Sequence, residues 1–218
     1  MSNLWIDIET MPTTSHNVRT AIRTGLSAPS NYKDQAKIDA YIDAAQITAL
    51  DKTALDGLYG ELIAVAWGWE EEPTTTLVRH LDEGEERFLR DVMDTIDATF
   101  PLTKPDGRLP TTWSGWNVMF DARFLWKRCI KHGVKAPITW PIGSQRYPVI
   151  NDAMELWAGR SSDKKSLGAV GQEILGLTKG DSAMLWEAWL REDYEKVELH
   201  AKLDLDMTRD LWERMRDV

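Results

Sequence analysis

The chain has 218 residues, 43% hydrophobic and 28% charged, with a net charge of −9. That is enough for one domain with a sizeable core, and the acidic balance excludes a broad nucleic-acid-coating surface while permitting an enzyme that grips one strand end through bound cations. The one cysteine, Cys129, excludes an intrachain disulfide, and with only four His a Cys/His zinc centre is disfavoured. No apolar run approaches the roughly 20 residues that span a bilayer, and the start carries no basic, apolar leader, so a cytoplasmic setting is expected.

Residues 3–9, NLWIDIE, alternate: Leu4, Ile6 and Ile8 face one way, Trp5, Asp7 and Glu9 the other, as in a strand that Pro12 ends. Residues 13–60 separate this strand from the next by far more than a hairpin needs; Ile38, Tyr41, Ile42, Ala45, Ile47 and Leu50 make the segment partly helical, and it is expected to be an insertion on the sheet edge. The apolar run 62–69, LIAVAWGW, predicts a central strand buried on both faces, and Thr74–Leu81 returns as a third, giving an antiparallel meander. A helix over 84–100 carries an apolar stripe of Phe88, Leu89, Val92, Met93 and Ile96. After a Pro/Gly-rich loop (101–110) come a short strand, Thr112–Ser114, and a helix from Asp121 to His132 ending near Gly133, with Cys129 as a small buried hydrophobe. A loop over 137–148, a strand edge at Val149–Asp152, and a chain helical from about Lys164 to the end, broken around Gly176–Gly180, complete the pattern. The fold class expected is α/β, a mixed sheet flanked by helices, as one domain over 1–218.

Three clusters carry chemistry. Asp7 and Glu9, two apart on a strand, point to one face, where two anions repel unless a cation sits between them; Mg²⁺ and Mn²⁺ prefer such oxygen ligands. Alone, an Asp-x-Glu pair is more often solvated. In WSGWNVMFDARFL (113–125), Gly115 allows a close backbone approach, Phe120 and Phe124 anchor a helix, and Asp121 faces a neighbour or else stabilises the helix N-terminus. His200 and Asp204 share one helical face, either as an exposed pair or as a metal ligand beside a water-activating His, whose ordinary pKa of about 6.5 suits proton transfer near neutrality.

Together these motifs resemble the DnaQ-like 3′→5′ exonucleases of the RNase H-like fold, the DEDD family, named for four acidic metal ligands. Asp7 and Glu9 in DIET match its first motif, Asn117-x-x-x-Asp121 its second and Asp204 its third. The stretch from Lys164 to Trp212, with Gly176-Leu177, Lys179-Gly180 and HAKLDLDMT, is similar to phage and bacterial proofreading-type members. The resemblance implies two divalent metal ions (Mg²⁺ or Mn²⁺) held by Asp7, Glu9, Asp121 and Asp204, with Asp7 bridging them. It implies hydrolysis of single-stranded DNA or 3′ DNA ends to 5′-mononucleotides, and a setting among replication or recombination proteins. His200 stands in the position of the water-deprotonating residue, but with three residues between it and Asp204 it has the family's Tyr-type spacing and a His-type side chain; Tyr194 is the weaker candidate. Thr10 and Met11 are expected near the terminal sugar and base, Asn117 near the scissile phosphate. Arg123, Arg146, Lys164, Lys165 and Lys179 are candidate phosphate contacts or plain surface charges. The 13–60 segment, with Arg19, Arg23, Lys33 and Lys37, is expected to cap the site. An exoribonuclease of the same fold, or a catalytically silent nucleic-acid-binding module, are the alternatives.

Overall fold

The computed structural model describes residues 2–100, 111–141, 150–159, 163–180 and 185–218. In chain order these form β1 (Ser2–Met11), α1 (His16–Gly25), α2 (Gln35–Asp51), a 3-10 turn (Lys52–Leu55), β2 (Glu61–Trp69), β3 (Thr75–Val78), α3 (Glu85–Ala98), β4 (Thr111–Gly115), α4 (Val118–His132), β5 (Ile150–Asp152), α5 (Ala153–Ala158), α6 (Leu167–Leu175), α7 (Leu185–Leu190) and α8 (Tyr194–Arg216). The strands make one five-stranded mixed sheet in the order β3-β2-β1-β4-β5, with β2 antiparallel to both neighbours and β1, β4 and β5 parallel.

The alternation of β1 divides the core. Leu4, Ile6 and Ile8 pack with α3 and α4 on one face. Trp5 and Met11 pack with Leu185, Trp189, Val197, Ala201 and Leu205 of α7 and α8 on the other. β2 feeds both layers, Val65 and Trp67 one way and Ala64 and Ala66 the other, which is why its sequence is apolar from Leu62 to Trp69. Of the eleven Trp, Trp67, Trp69 and Trp113 are fully buried. No described helix is long and apolar enough to cross a membrane.

Three boundaries differ from the sequence expectation. β3 stops at Val78 because Arg79 turns inward, its guanidinium 3.1 Å from the Glu61 carboxylate. α4 begins at Val118, ahead of Asp121, because Asn117 adopts the left-handed conformation (φ 59°) that Asn tolerates and caps the helix there. The C-terminal third has a second break beyond the one at Gly176: Glu192 is left-handed (φ 61°), and the Asp193 side chain accepts from the Lys196 N–H to start α8 afresh. Gly133, left-handed at φ 65°, ends α4 as expected. The 101–110 loop, most of 137–148 and Val149 lie outside the described residues.

Cys129 is buried on α4, and burial, with the Glu85 carboxylate adding to it, pushes its thiol up to about 12. Because the thiolate is the nucleophile, an alkylating reagent at neutral pH should label Cys129 only once the protein is denatured. Rapid labelling of the native protein would contradict this burial.

Candidate metal centre

β4 pairs with β1 only from Ser2 to Trp5. At Gly115 the two chains come so close that a Cβ there would stand 2.7 Å from the Ile6 carbonyl oxygen, so only glycine fits. Beyond that point β1 runs on without β4, and the Ile8 N–H donates to Asp121 Oδ1 at 3.1 Å. Asp121 is thereby fixed at the C-terminal end of β1, where parallel strands open a crevice.

On the opposite strand edge, Asp7 and Glu9 lie in register with Ala66 and Ala64 of β2, and the ladder shifts directly after Glu9. The small alanines leave space above the carboxylates. α8 fills part of it: Val197, Ala201 and Leu205 seat the helix on the sheet, and the same face brings in His200 and Asp204, both buried. His200 Nε2 lies 3.6 Å from Glu9 Oε1 and 3.6 Å from Asp204 Oδ2. One ligand atom from each of Glu9, His200 and Asp204 falls within 4.8 Å of the others. Lys179, in the loop after α6, makes an ion pair with Asp204 Oδ2.

The electrostatics follow from this crowding. Burial first, then the Asp204 carboxylate, push the Asp7 carboxyl up to about 7, against a smaller opposing pull from Lys179. Glu9 is raised well above the usual carboxylate range by burial, then by Asp7 and Asp204. Asp121 is raised likewise by burial and then Asp7, with the Ile8 N–H working against it. Lys179 offsets part of this crowding. An oxygen-rich, crowded donor set with an ammonium already seated on one carboxylate fits a hard divalent cation.

Asp7, Glu9 and Asp121, with Lys179, line a cleft of about 770 Å³. Its walls are Trp116 just before α4, Phe120 in its first turn, Trp186 and Glu187 on α7, and Ile47, Asp51, Ala54 and Leu55 from the 13–60 segment. The end of α2 and the 3-10 turn therefore border the site. Arg19, Arg23, Lys33 and Lys37 are exposed on the segment's outer part, where Arg23 pairs with Asp43 at 2.8 Å.

Asp7, Glu9, Asp121, His200 and Asp204 are thus brought together, and Lys179 joins them. Thr10 is on the cleft wall, with its hydroxyl donating to the Ala54 carbonyl at 2.8 Å. Met11 is not on that wall. It continues the Asp7–Glu9 face into the core beneath α7, is 3% exposed, and meets Arg79 through its sulfur. Asn117 is exposed, its backbone N–H donating to Asp152 Oδ1 at 3.0 Å, and Trp116 beside it lines the cleft instead. Arg123 is exposed on α4 outside the cleft lining. Lys164 and Lys165 pair with Glu155 (3.9 Å) and Asp163 (2.7 Å), and Arg146 lies outside the described residues. The Tyr194 hydroxyl accepts from the Leu81 N–H at 3.0 Å and its ring stacks on His80, which removes it from the site. The sequence reading missed Trp116 and Trp186 as cleft walls and Asp152 as the acceptor that anchors the Asn117 turn. Alanines at 64 and 66 inside an otherwise bulky strand were the available sign that one face had to admit other side chains.

No protein-family model matches the chain, and no curated protein matches it. Among solved structures it is similar to the family B DNA polymerase from the hyperthermophilic archaeon Pyrobaculum calidifontis. The identity is 14% and the TM-score 0.58, over 99% of this chain and 24% of the polymerase chain. The chain therefore spans about a quarter of that protein's length, and at this identity the likeness is one of fold.

Proposed function

We propose that this chain is a metal-dependent 3′→5′ exonuclease of the DnaQ-like (DEDD) type on an RNase H-like fold, hydrolysing single-stranded DNA ends to 5′-mononucleotides. What supports the reading is that Asp7 and Glu9 from β1 and Asp121 from α4 line one cleft, and that His200 and Asp204 from α8 are buried against Glu9 behind it. The fold likeness to part of a protein named as a DNA polymerase accords with a DNA substrate.

Asp7, Glu9, Asp121 and Asp204 would hold two divalent cations. When bound, such cations lower the pKa of a coordinated water and neutralise charge on the phosphate in the transition state. His200, fixed between Glu9 and Asp204, orients the attacking water and takes its proton at Nε2. The water oxygen forms the new bond to phosphorus as the bond from phosphorus to the preceding nucleotide's 3′ oxygen breaks. A nucleoside 5′-monophosphate leaves, and the shortened strand keeps a 3′-hydroxyl. Lys179 offsets the charge of the acids from its seat on Asp204. Trp116, Phe120 and Trp186 offer apolar surface to the unpaired terminal base.

His200→Ala should slow hydrolysis by roughly 10²–10⁴-fold, the range of a general base, with metal and DNA affinity largely retained. His200→Tyr should recover part of the rate. A large loss of metal affinity in His200→Ala would make His200 a ligand instead. The reading as a whole is tested by incubating end-labelled DNA and RNA with the protein and Mg²⁺ or Mn²⁺ and identifying the released products. Nucleoside 5′-monophosphates from DNA are expected; 3′-monophosphates or internal cuts would overturn it, and faster release from RNA would move the assignment to an exoribonuclease.

A further inference from the structure

Helix α4 runs against the charge of the chain. Between residues 122 and 135 there are five cations (Arg123, Lys127, Arg128, Lys131 and Lys135) and no acid, in a protein of net charge −9. Arg128 is buried on Glu85, its Nε donating at 2.8 Å, which leaves four exposed cations. Arg123, Lys127 and Lys131 recur every fourth residue and so climb one side of the helix in steps of about 6 Å.

The stripe starts at the cleft, since α4 supplies Phe120 and Asp121 to its lining. The opposite wall, Ala54 and Leu55, continues into a loop that lies along α4. A Cβ on Gly57 would stand 3.0 Å from the Phe124 Cα, Lys127 Nζ is 3.4 Å from Asp56 Oδ1, and Lys131 Nζ donates to the Leu58 carbonyl at 3.3 Å. Exposed apolar side chains border this seam: Leu55 is 69% exposed and Leu58 53%. Spaced cations beside exposed apolar surface are what a single strand requires, phosphates on one side and base faces on the other. The Lys127–Asp56 pair is itself solvent-exposed and readily displaced by a phosphate.

We propose that the seam between α4 and the loop after the 3-10 turn is the track for single-stranded DNA upstream of the 3′ end, with Arg123, Lys127 and Lys131 contacting its phosphates. This rests on the exonuclease reading, and it gives the substrate strand a direction away from the acids.

The test measures binding of fluorescent oligodeoxythymidylates, one short and one long, across a salt series in Ca²⁺ buffer. The proteins are the wild type, a triple variant (Arg123→Gln, Lys127→Gln, Lys131→Gln) and the single variant Arg123→Glu, with digestion in Mg²⁺ run in parallel. The wild type should prefer the long strand. In the triple variant that preference should collapse, and the slope of log Kd against log salt should fall by about 2, at roughly 0.7 per lost phosphate contact. Arg123→Glu, which disturbs no buried group, should move both quantities the same way even if the triple variant folds poorly. Unchanged length preference and salt slope in Arg123→Glu would overturn the track while leaving the exonuclease reading intact wherever digestion persists. Binding that responds as expected in a protein that digests nothing would keep the surface and remove the nuclease.

Discussion

Asp7→Asn should abolish hydrolysis and at the same time make the metal-free protein more stable. The loss should be on the order of a thousandfold, about 4 kcal/mol of transition-state stabilisation, because Asp7 is buried among Glu9, Asp121 and Asp204, the acids that would hold the cations. The gain follows from the same position. Burial and the Asp204 carboxylate both disfavour the charged form of Asp7, so a neutral amide removes a standing repulsion among Asp7, Glu9 and Asp204. Since about 1 kcal/mol shifts the melting temperature of a chain of this size by roughly 2–4 °C, a rise of a few degrees in chelator is expected by scanning calorimetry. Retained activity would remove Asp7 from the site. A lower melting temperature would show that the carboxylate cluster is stabilising in its own right, contrary to its geometry.

A second large effect concerns pH. In the metal-free protein the folded chain still holds the Asp7 proton up to about pH 7, whereas an unfolded carboxyl has lost it by about pH 4. The native state therefore binds more protons than the unfolded state in that window, and stability falls as pH rises through it, by a few kcal/mol in order of magnitude. Glu9 and Asp121, also raised by burial, act in the same direction. Adding Mn²⁺ or Mg²⁺ should reverse the trend, because a cation binds the deprotonated acids and its stabilisation grows with pH; at a concentration 100 times Kd it amounts to about 2.7 kcal/mol. Melting curves at pH 5 and pH 8, with chelator and with metal, give the sign directly. A metal-free protein that is more stable at pH 8, or one that metal leaves unmoved, would contradict the centre.

Strand periodicity was enough to place Leu4, Ile6 and Ile8 on one side of the sheet and Asp7 with Glu9 on the other, since alternation needs no tertiary information. The antiparallel meander was legible from the strand patterns and the turn between them. Met11 was misread because period 2 names a face without naming what covers it: beneath Glu9's neighbourhood lies the cleft, while beneath Met11 lies α7. The start of α4 was read too late because a left-handed Asn cap leaves no periodic trace. Lys179 looked like any surface lysine, and its seat on Asp204 depends on how the loop after α6 meets α8, a contact between segments more than twenty residues apart. The His200 spacing that mixes two subfamily patterns acquires a geometric content here, with its Nε2 equidistant from Glu9 and Asp204.

The central claim is tested most directly by following a 5′-labelled single-stranded oligonucleotide on a sequencing gel, with Mg²⁺, with Mn²⁺ and with chelator, for the wild type and Asp7→Asn. The account predicts a ladder that shortens stepwise from the 3′ end with either or both cations, none in chelator and none for the variant. An intact strand under both cations, or the same ladder from Asp7→Asn, would contradict it.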